Sequence, residues 1–163
     1  MVSRVSSVVG SGRTNMQTGP DADRDAQGML VCIVDDDVSV LRALRRLLVA
    51  EHLAVETFMS AEEFLASAHR SSARCLVLDM HLGGVSGLEL QAKLVASGTS
   101  TPVVFITAYD EAGARERARK AGAVDYLRKP FDDVALLGAI ARAITGVGGE
   151  WRPPGAAGQA GSP

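Results

Sequence analysis

Aromatic residues are scarce in this chain: four Phe, two Tyr and one Trp make up 4% of 163 residues. So few rings cannot pave a surface for stacked bases, which sets aside the single-stranded nucleic-acid binders. Excess charge of one sign is also lacking. Seventeen basic against nineteen acidic residues leave a formal net charge of −2, so a nucleic-acid backbone would meet no broad positive field and direct nucleic-acid binding is not expected. No apolar run approaches the roughly 20 residues that span a bilayer, so no membrane partner is expected. Arg4 and Arg13 near the N-terminus are not accompanied by the apolar h-region of a secretory signal. Cysteine is limited to Cys32 and Cys75, both inside apolar runs and without nearby His ligands. They make no zinc site and read as buried, reduced, inert thiols of a cytoplasmic protein.

What is present suits one globular domain: 47% hydrophobic and 22% charged residues, in a length too short for two ordinary cores. Residues 1–28 are rich in Ser, Gly, Thr, Asp and Gln and read as a disordered leader. Residues 146–163, with Trp151 among Gly, Pro and Ala, read as a disordered tail. Between them, at 29–145, lies a single domain in which short apolar runs alternate with helical periodicity. Strands are predicted over 29–34, 53–58, 74–79, 102–107 and 124–127; runs apolar on every side fit central parallel strands covered on both faces. Helices are predicted over 38–50, 60–68, from Ser86 to a stop at Gly98, over 110–121 and over 131–144. Asp37 reads as the N-cap of the first, and Ser60 with Glu63 has the capping-box spacing. Val134, Leu137, Ile140, Ala141 and Ile144 are predicted to face inward on the last. Five strands alternating with five helices imply an α/β, doubly wound (βα)5 three-layer sandwich with its site at the strand carboxyl ends.

The most pointed stretch is residues 75–87, CLVLDMHLGGVSG, where an apolar run delivers one carboxylate, Asp79, to a glycine-rich loop. The ends of the first, third, fourth and fifth strands carry Asp35-Asp36, Asp79, Thr107 and Lys129. Carboxylates ~5 Å apart repel by about 3 kcal/mol at an effective dielectric of 20, so converging acids need counter-charge. Lys129 supplies one unit and a hard divalent cation, Mg²⁺, suits the rest. Such a site fits phosphoryl transfer to a carboxylate, with Asp79 as nucleophile, Thr107 as hydroxyl donor and Lys129 as a mobile point charge. Lys129 precedes Pro130, where a cis peptide bond is accessible.

The chain from about residue 29 to 144 resembles the receiver domain of two-component response regulators, most closely the FixJ-like branch. The resemblance rests on VDDD, DMHLGGVSGLEL, FITAY and AGAVDYLRKPF, in matching order and spacing. It implies the flavodoxin/CheY-like strand order 2-1-3-4-5. It implies that Asp79 accepts a phosphoryl group from a histidine kinase or phosphotransfer protein. It further implies that Asp36 and Asp79 ligate Mg²⁺ directly, Asp35 largely through water, and His81 through its main-chain carbonyl. Thr107 and Tyr126 would be the switch residues. The face built by the fourth helix, fifth strand and fifth helix (α4-β5-α5) would bind a downstream protein or a second copy. His81 and Tyr109 stand where bulk shields the phosphoaspartate from water, which predicts slow self-hydrolysis. Gly83 departs from the pattern, since receivers usually carry Pro there, and the Gly83-Gly84 pair implies a looser loop.

Plainer readings stand beside these. A lone strand-end Asp is most often a helix cap, and Asp37 is read as just that. Tyr126 also reads as a partly buried strand aromatic. The imidazoles of His52, His69 and His81 are not expected to bind metal. Arg115, Arg117, Arg119 and Lys120 read as a solvated helix face with acidic partners. Asp35 and Asp37 formally match the Asp-x-Asp of haloacid-dehalogenase-like phosphatases, although the chain has no room for a cap domain. A phosphorylation-independent docking module is a further alternative. Eighteen or so low-complexity residues after Ile144 cannot form a helix-turn-helix, which leaves a stand-alone docking protein or the receiver fragment of a DNA-binding regulator; the Gly/Ala/Pro tail favours the stand-alone reading.

Overall fold

A computed structural model of the chain describes residues 28–146; the predicted leader up to residue 27, and the predicted tail with Trp151 from 147, lie outside the described residues. The strands are β1 (Leu30–Val34), β2 (Ala54–Phe58), β3 (Cys75–Asp79), β4 (Val103–Thr107) and β5 (Asp125–Arg128). The helices are α1 (Val38–Ala50), α2 (Ala61–Ala66), α3 (Gly87–Ala96), α4 (Ala114–Lys120) and α5 (Asp133–Thr145), with a 3₁₀ turn at Ala68–Ser71. All strands pair in parallel in the order β2-β1-β3-β4-β5. The expected three-layer doubly wound sandwich is the observed one.

Strand side chains alternate between two faces, and here both are apolar because both are covered. Val31, Ile33, Val77, Val104 and Ile106 pack with Leu41, Leu44 and Leu48 of α1 and Leu136 and Ile140 of α5. Cys32, Val34, Leu76, Leu78 and Phe105 pack on the other face with Phe64 of α2, Leu90 and Leu94 of α3 and Ala114 and Ala118 of α4. Both cysteines are free and buried. Burial pushes each thiol up to about 12, with Glu56 adding to the effect at Cys32 and Cys32 at Cys75, which leaves both protonated and unreactive.

The caps set where the loops leave the sheet. Asp37 accepts from the Ser39 amide and starts α1. Ser86 and Glu89 form a full capping box at α3. At Ser60 half of the expected box forms: Ser60 accepts from the Glu63 amide, but the Glu63 carboxylate reaches one residue further back, to the Met59 amide.

Two sequence expectations are corrected. Helix α4 starts at Ala114 rather than at 110, because Gly113 sits at φ +80, in the left-handed region that interrupts a right-handed helix. On α5, Val134 is 79% exposed and not inward. It lies in the first turn, while the stripe that meets the sheet runs through Leu136, Ala139, Ile140 and Ala143 at i, i+3, i+4 and i+7.

Candidate functional site

Strand register brings the polar residues together. Val34 is the last residue of β1, and Asp35 and Asp36 follow it directly. Asp79 closes β3 opposite Ile106, which puts Thr107 one step beyond it on β4. The Lys129 amide donates to the Thr107 carbonyl at 2.7 Å, which holds the end of β5 beside β4. Oxygen atoms of Asp35, Asp36 and Asp79 lie within 4.8 Å of one another, an all-oxygen group able to hold a cation. Neither His52, His69 nor His81 belongs to that group.

Burial differs sharply among the acids. Asp35 is fully buried and Asp79 is 5% exposed, whereas Asp36 is exposed. The Lys129 ammonium bridges the two buried ones, 2.7 Å from Asp35 Oδ2 and 3.3 Å from Asp79 Oδ2. The second oxygen of Asp35 accepts from the Asp37 amide at 2.9 Å, and that of Asp79 accepts from the His81 amide at 3.0 Å. Burial raises the Asp79 carboxyl above the ordinary carboxylate range. The His81 amide opposes the rise, the Asp35 charge adds to it, and Lys129 opposes it. Burial would lower the Lys129 ammonium, but its hydrogen bond to Asp35 and the charge of Asp79 outweigh that, and it stays above its usual range. The Lys129–Pro130 peptide is cis, the isomer the sequence made accessible.

Thr107 is fully buried. Its hydroxyl lies 3.0 Å from the Tyr109 carbonyl, to which it can donate, and accepts from the Tyr109 amide at 3.2 Å. The His81 ring stands beside it, Nδ1 3.2 Å from Thr107 Oγ1 and Nε2 3.1 Å from Glu111 Oε1. Tyr109, 65% exposed, packs its ring edge-on to His81 with centroids 5.4 Å apart. Tyr126 is turned inward, 4% exposed, with its hydroxyl near Thr107 but out of hydrogen-bond geometry.

Several site residues escaped the sequence reading. Glu111, placed there inside a helix, is in the loop before α4 and holds both His81 and Arg117. Arg115, expected on a solvated face, stacks its guanidinium over the Tyr126 ring at 5.2 Å from the centroid. Its neighbours do find acids: Arg117 pairs with Glu111 and Arg119 with Glu116. Gly87 lies where a Cβ would stand 2.3 Å from the Asp79 carbonyl oxygen, so a side chain there would push the acid out of place. The glycine after the Gly83-Gly84 pair was legible as a loop signal, but the close approach depends on how the loop returns. Asp37, the second acid of the Asp-x-Asp spacing, is taken up by capping α1.

Comparison with known proteins bears on the domain as a whole. The model of the response regulator receiver domain matches residues 31–141. The response regulator protein TodT of Pseudomonas putida is 42% identical over 115 residues, covering 71% of this chain and 51% of TodT. The transcriptional regulatory protein FixJ of Rhizobium meliloti is 38% identical over 113 residues, covering 69% of this chain and 55% of FixJ. Among solved structures, the response regulator StyR is 46% identical and superposes with a TM-score of 0.67 over 72% of this chain and 59% of StyR. The chain thus spans about half the length of the curated relatives it matches.

Proposed function

We propose, from the premise that this chain belongs to the response regulator receiver domain family of two-component systems, that Asp79 is its phosphoacceptor. The donor is a sensor histidine kinase or phosphotransfer protein. One observation carries the reading: the three acids, Thr107 and Lys129 converge from four separate strand ends, with one ammonium shared by two buried carboxylates. A carboxylate oxygen of Asp79 bonds to phosphorus as the donor's P–N bond breaks, and the electron pair leaves with the donor imidazole. Lys129 already touches the attacking side chain and offers its ammonium to the incoming phosphoryl oxygens.

The donor set fits Mg²⁺, since it is all oxygen and its three negative charges exceed the single positive charge of Lys129. Asp36 and Asp79 would hold the ion directly and the His81 main-chain carbonyl would add a ligand. Asp35 would act through water, in keeping with both its oxygens already accepting hydrogen bonds. When bound, the ion supplies charge neutralisation for the transferred group. Thr107 then turns its hydroxyl to a phosphoryl oxygen, and Tyr126 and the α4-β5-α5 face change with it, a shift between two populations. That face docks a downstream protein or a second copy. The His81 and Tyr109 rings shield the phosphoryl group and slow its hydrolysis.

The deciding measurement is mass spectrometry after incubation with Mg²⁺ and acetyl phosphate. Wild type gains the mass of one phosphoryl group and Asp79→Asn gains none. Absence of the gain in wild type, or its persistence in the variant, overturns the assignment.

A further inference from the structure

Thr107 has one hydroxyl hydrogen, and two acceptors stand ready for it. The Tyr109 carbonyl is 3.0 Å away. The second acceptor follows from Glu111. A carboxylate only accepts, so the His81 Nε2 that faces Glu111 Oε1 at 3.1 Å carries the ring hydrogen. In the neutral ring that tautomer leaves Nδ1 bare, and Nδ1 lies 3.2 Å from Thr107 Oγ1. A phosphoryl oxygen on Asp79 would need the same hydrogen.

The contact does not stop at Glu111. Its other carboxylate oxygen accepts from Arg117 at 3.2 Å, and Arg117 also donates to the Ala112 carbonyl at 3.3 Å. The Glu111 carbonyl accepts from the Ala114 amide at 3.0 Å, the first residue of α4. A continuous set of hydrogen bonds therefore runs from a buried hydroxyl, through His81 and Glu111, to the first turn of α4.

We propose that His81 and Glu111 are positioning residues that hold the Thr107 hydroxyl in its resting place, and that Arg117 transmits release of that hold to the start of α4. The inference rests on the phosphoacceptor reading and adds to it a brake on the Thr107 hydroxyl. Acid-site occupation and the His81 ring compete for one hydrogen. When the phosphoryl group wins, Glu111 loses the fixed ring that orients it, and the turn at residues 110–113 is freed. His81 is 37% exposed and Glu111 54%, so water competes with each contact and the hold is modest.

The test is a titration with beryllofluoride in Mg²⁺, a mimic of the phosphoryl group, followed through backbone amide NMR shifts. His81→Phe keeps a ring beside Tyr109 but removes both nitrogens; Glu111→Ala removes the anchor alone. Each should bind the mimic about two- to fivefold more tightly than wild type, the worth of one partly exposed hydrogen bond. In a Thr107→Ala background His81→Phe should change nothing, whereas a merely steric role of the ring would persist there. Before any addition, Glu111→Ala should move the amides of residues 114–118 toward their saturated positions. Equal affinities across the three proteins, or a gain that survives loss of Thr107, overturn the hold; unmoved amides at 114–118 overturn the link to α4. A wild type that binds no beryllofluoride overturns the phosphoacceptor reading itself, and the brake falls with it.

Discussion

Lys129 faces two carboxylates, and the consequences differ for the two. Asp35 is fully buried and contacts the ammonium at 2.7 Å, so removing the ammonium leaves a buried acid without its counter-charge. Lys129→Met should destabilise the fold by about 3 kcal/mol, read from urea unfolding; a loss under 1 kcal/mol would show that the pair contributes little. Asp79 responds in the opposite sense. Its native carboxyl is held above the ordinary range, chiefly by burial. Between the ordinary range and that raised value the native state binds more protons than the unfolded one, so stability is full below the ordinary range and falls as pH rises through the native value. In EDTA, Asp79→Asn should therefore melt at a higher temperature than wild type at pH 7 to 8, with the gap closing toward about pH 4. A gap that widens in acid would contradict the argument. The ionised Asp79 is thus unfavourable to the fold, whereas the Lys129–Asp35 pair beside it is favourable.

The path from β3 into the first turn of α3 holds two glycines with unlike duties, Gly83 in the loop and Gly87 at the helix start. A Cβ on Gly87 would stand 2.3 Å from the Asp79 carbonyl oxygen and 3.1 Å from the Met80 Cα, both backbone atoms that cannot turn aside. Gly87→Ala should cost about 2 to 3 kcal/mol and lower the melting temperature accordingly. A Cβ on Gly83 meets nothing within 4 Å. Gly83→Pro should restrict the loop, slow amide hydrogen exchange over residues 80–86 and raise stability by up to about 1 kcal/mol. Exchange as fast as in wild type would dispose of the idea that the glycine pair loosens this loop. Helix α4 carries the same lesson in another form. Its charge pattern extends back to Asp110, but Gly113 and the side-chain bonds of Glu111 keep 110–113 out of the helix.

For the whole molecule, two apolar layers grip one parallel sheet, and the acids gather at the carboxyl ends of its interior strands β1 and β3. Their mutual repulsion makes the native state a better ligand for Mg²⁺ than the unfolded chain, in which the three carboxylates are apart. Mg²⁺ at a hundred times its dissociation constant should therefore stabilise the fold by about 2.7 kcal/mol. A melting temperature that rises with Mg²⁺ and returns with EDTA would bear this out; a flat response would remove the metal from the proposal. No helix among the described residues is long and apolar enough to cross a membrane, and the relatives named transcriptional regulators carry this unit within chains about twice its matched length.

The layered fold was legible in the sequence because its causes are local and periodic. Apolar runs covered on both faces made strands, leucines at helical spacing made α1, and the Asp37 and Ser86 caps marked helix starts. The identity of the acid set was legible too, since each member sits at the end of an apolar run. Other features depended on groups that meet only after the chain has folded. The sharing of Lys129 between residues 94 and 50 positions away, the His81–Glu111 contact across 30 positions, the stacking of Arg115 on Tyr126 and the close return of Gly87 to the end of β3 are of this kind. Composition and periodicity record what each residue prefers; strand register and loop path decide which residues touch. Asp79 was visible as an acid at a strand end, and tertiary structure alone set its burial, its partners and its raised proton affinity.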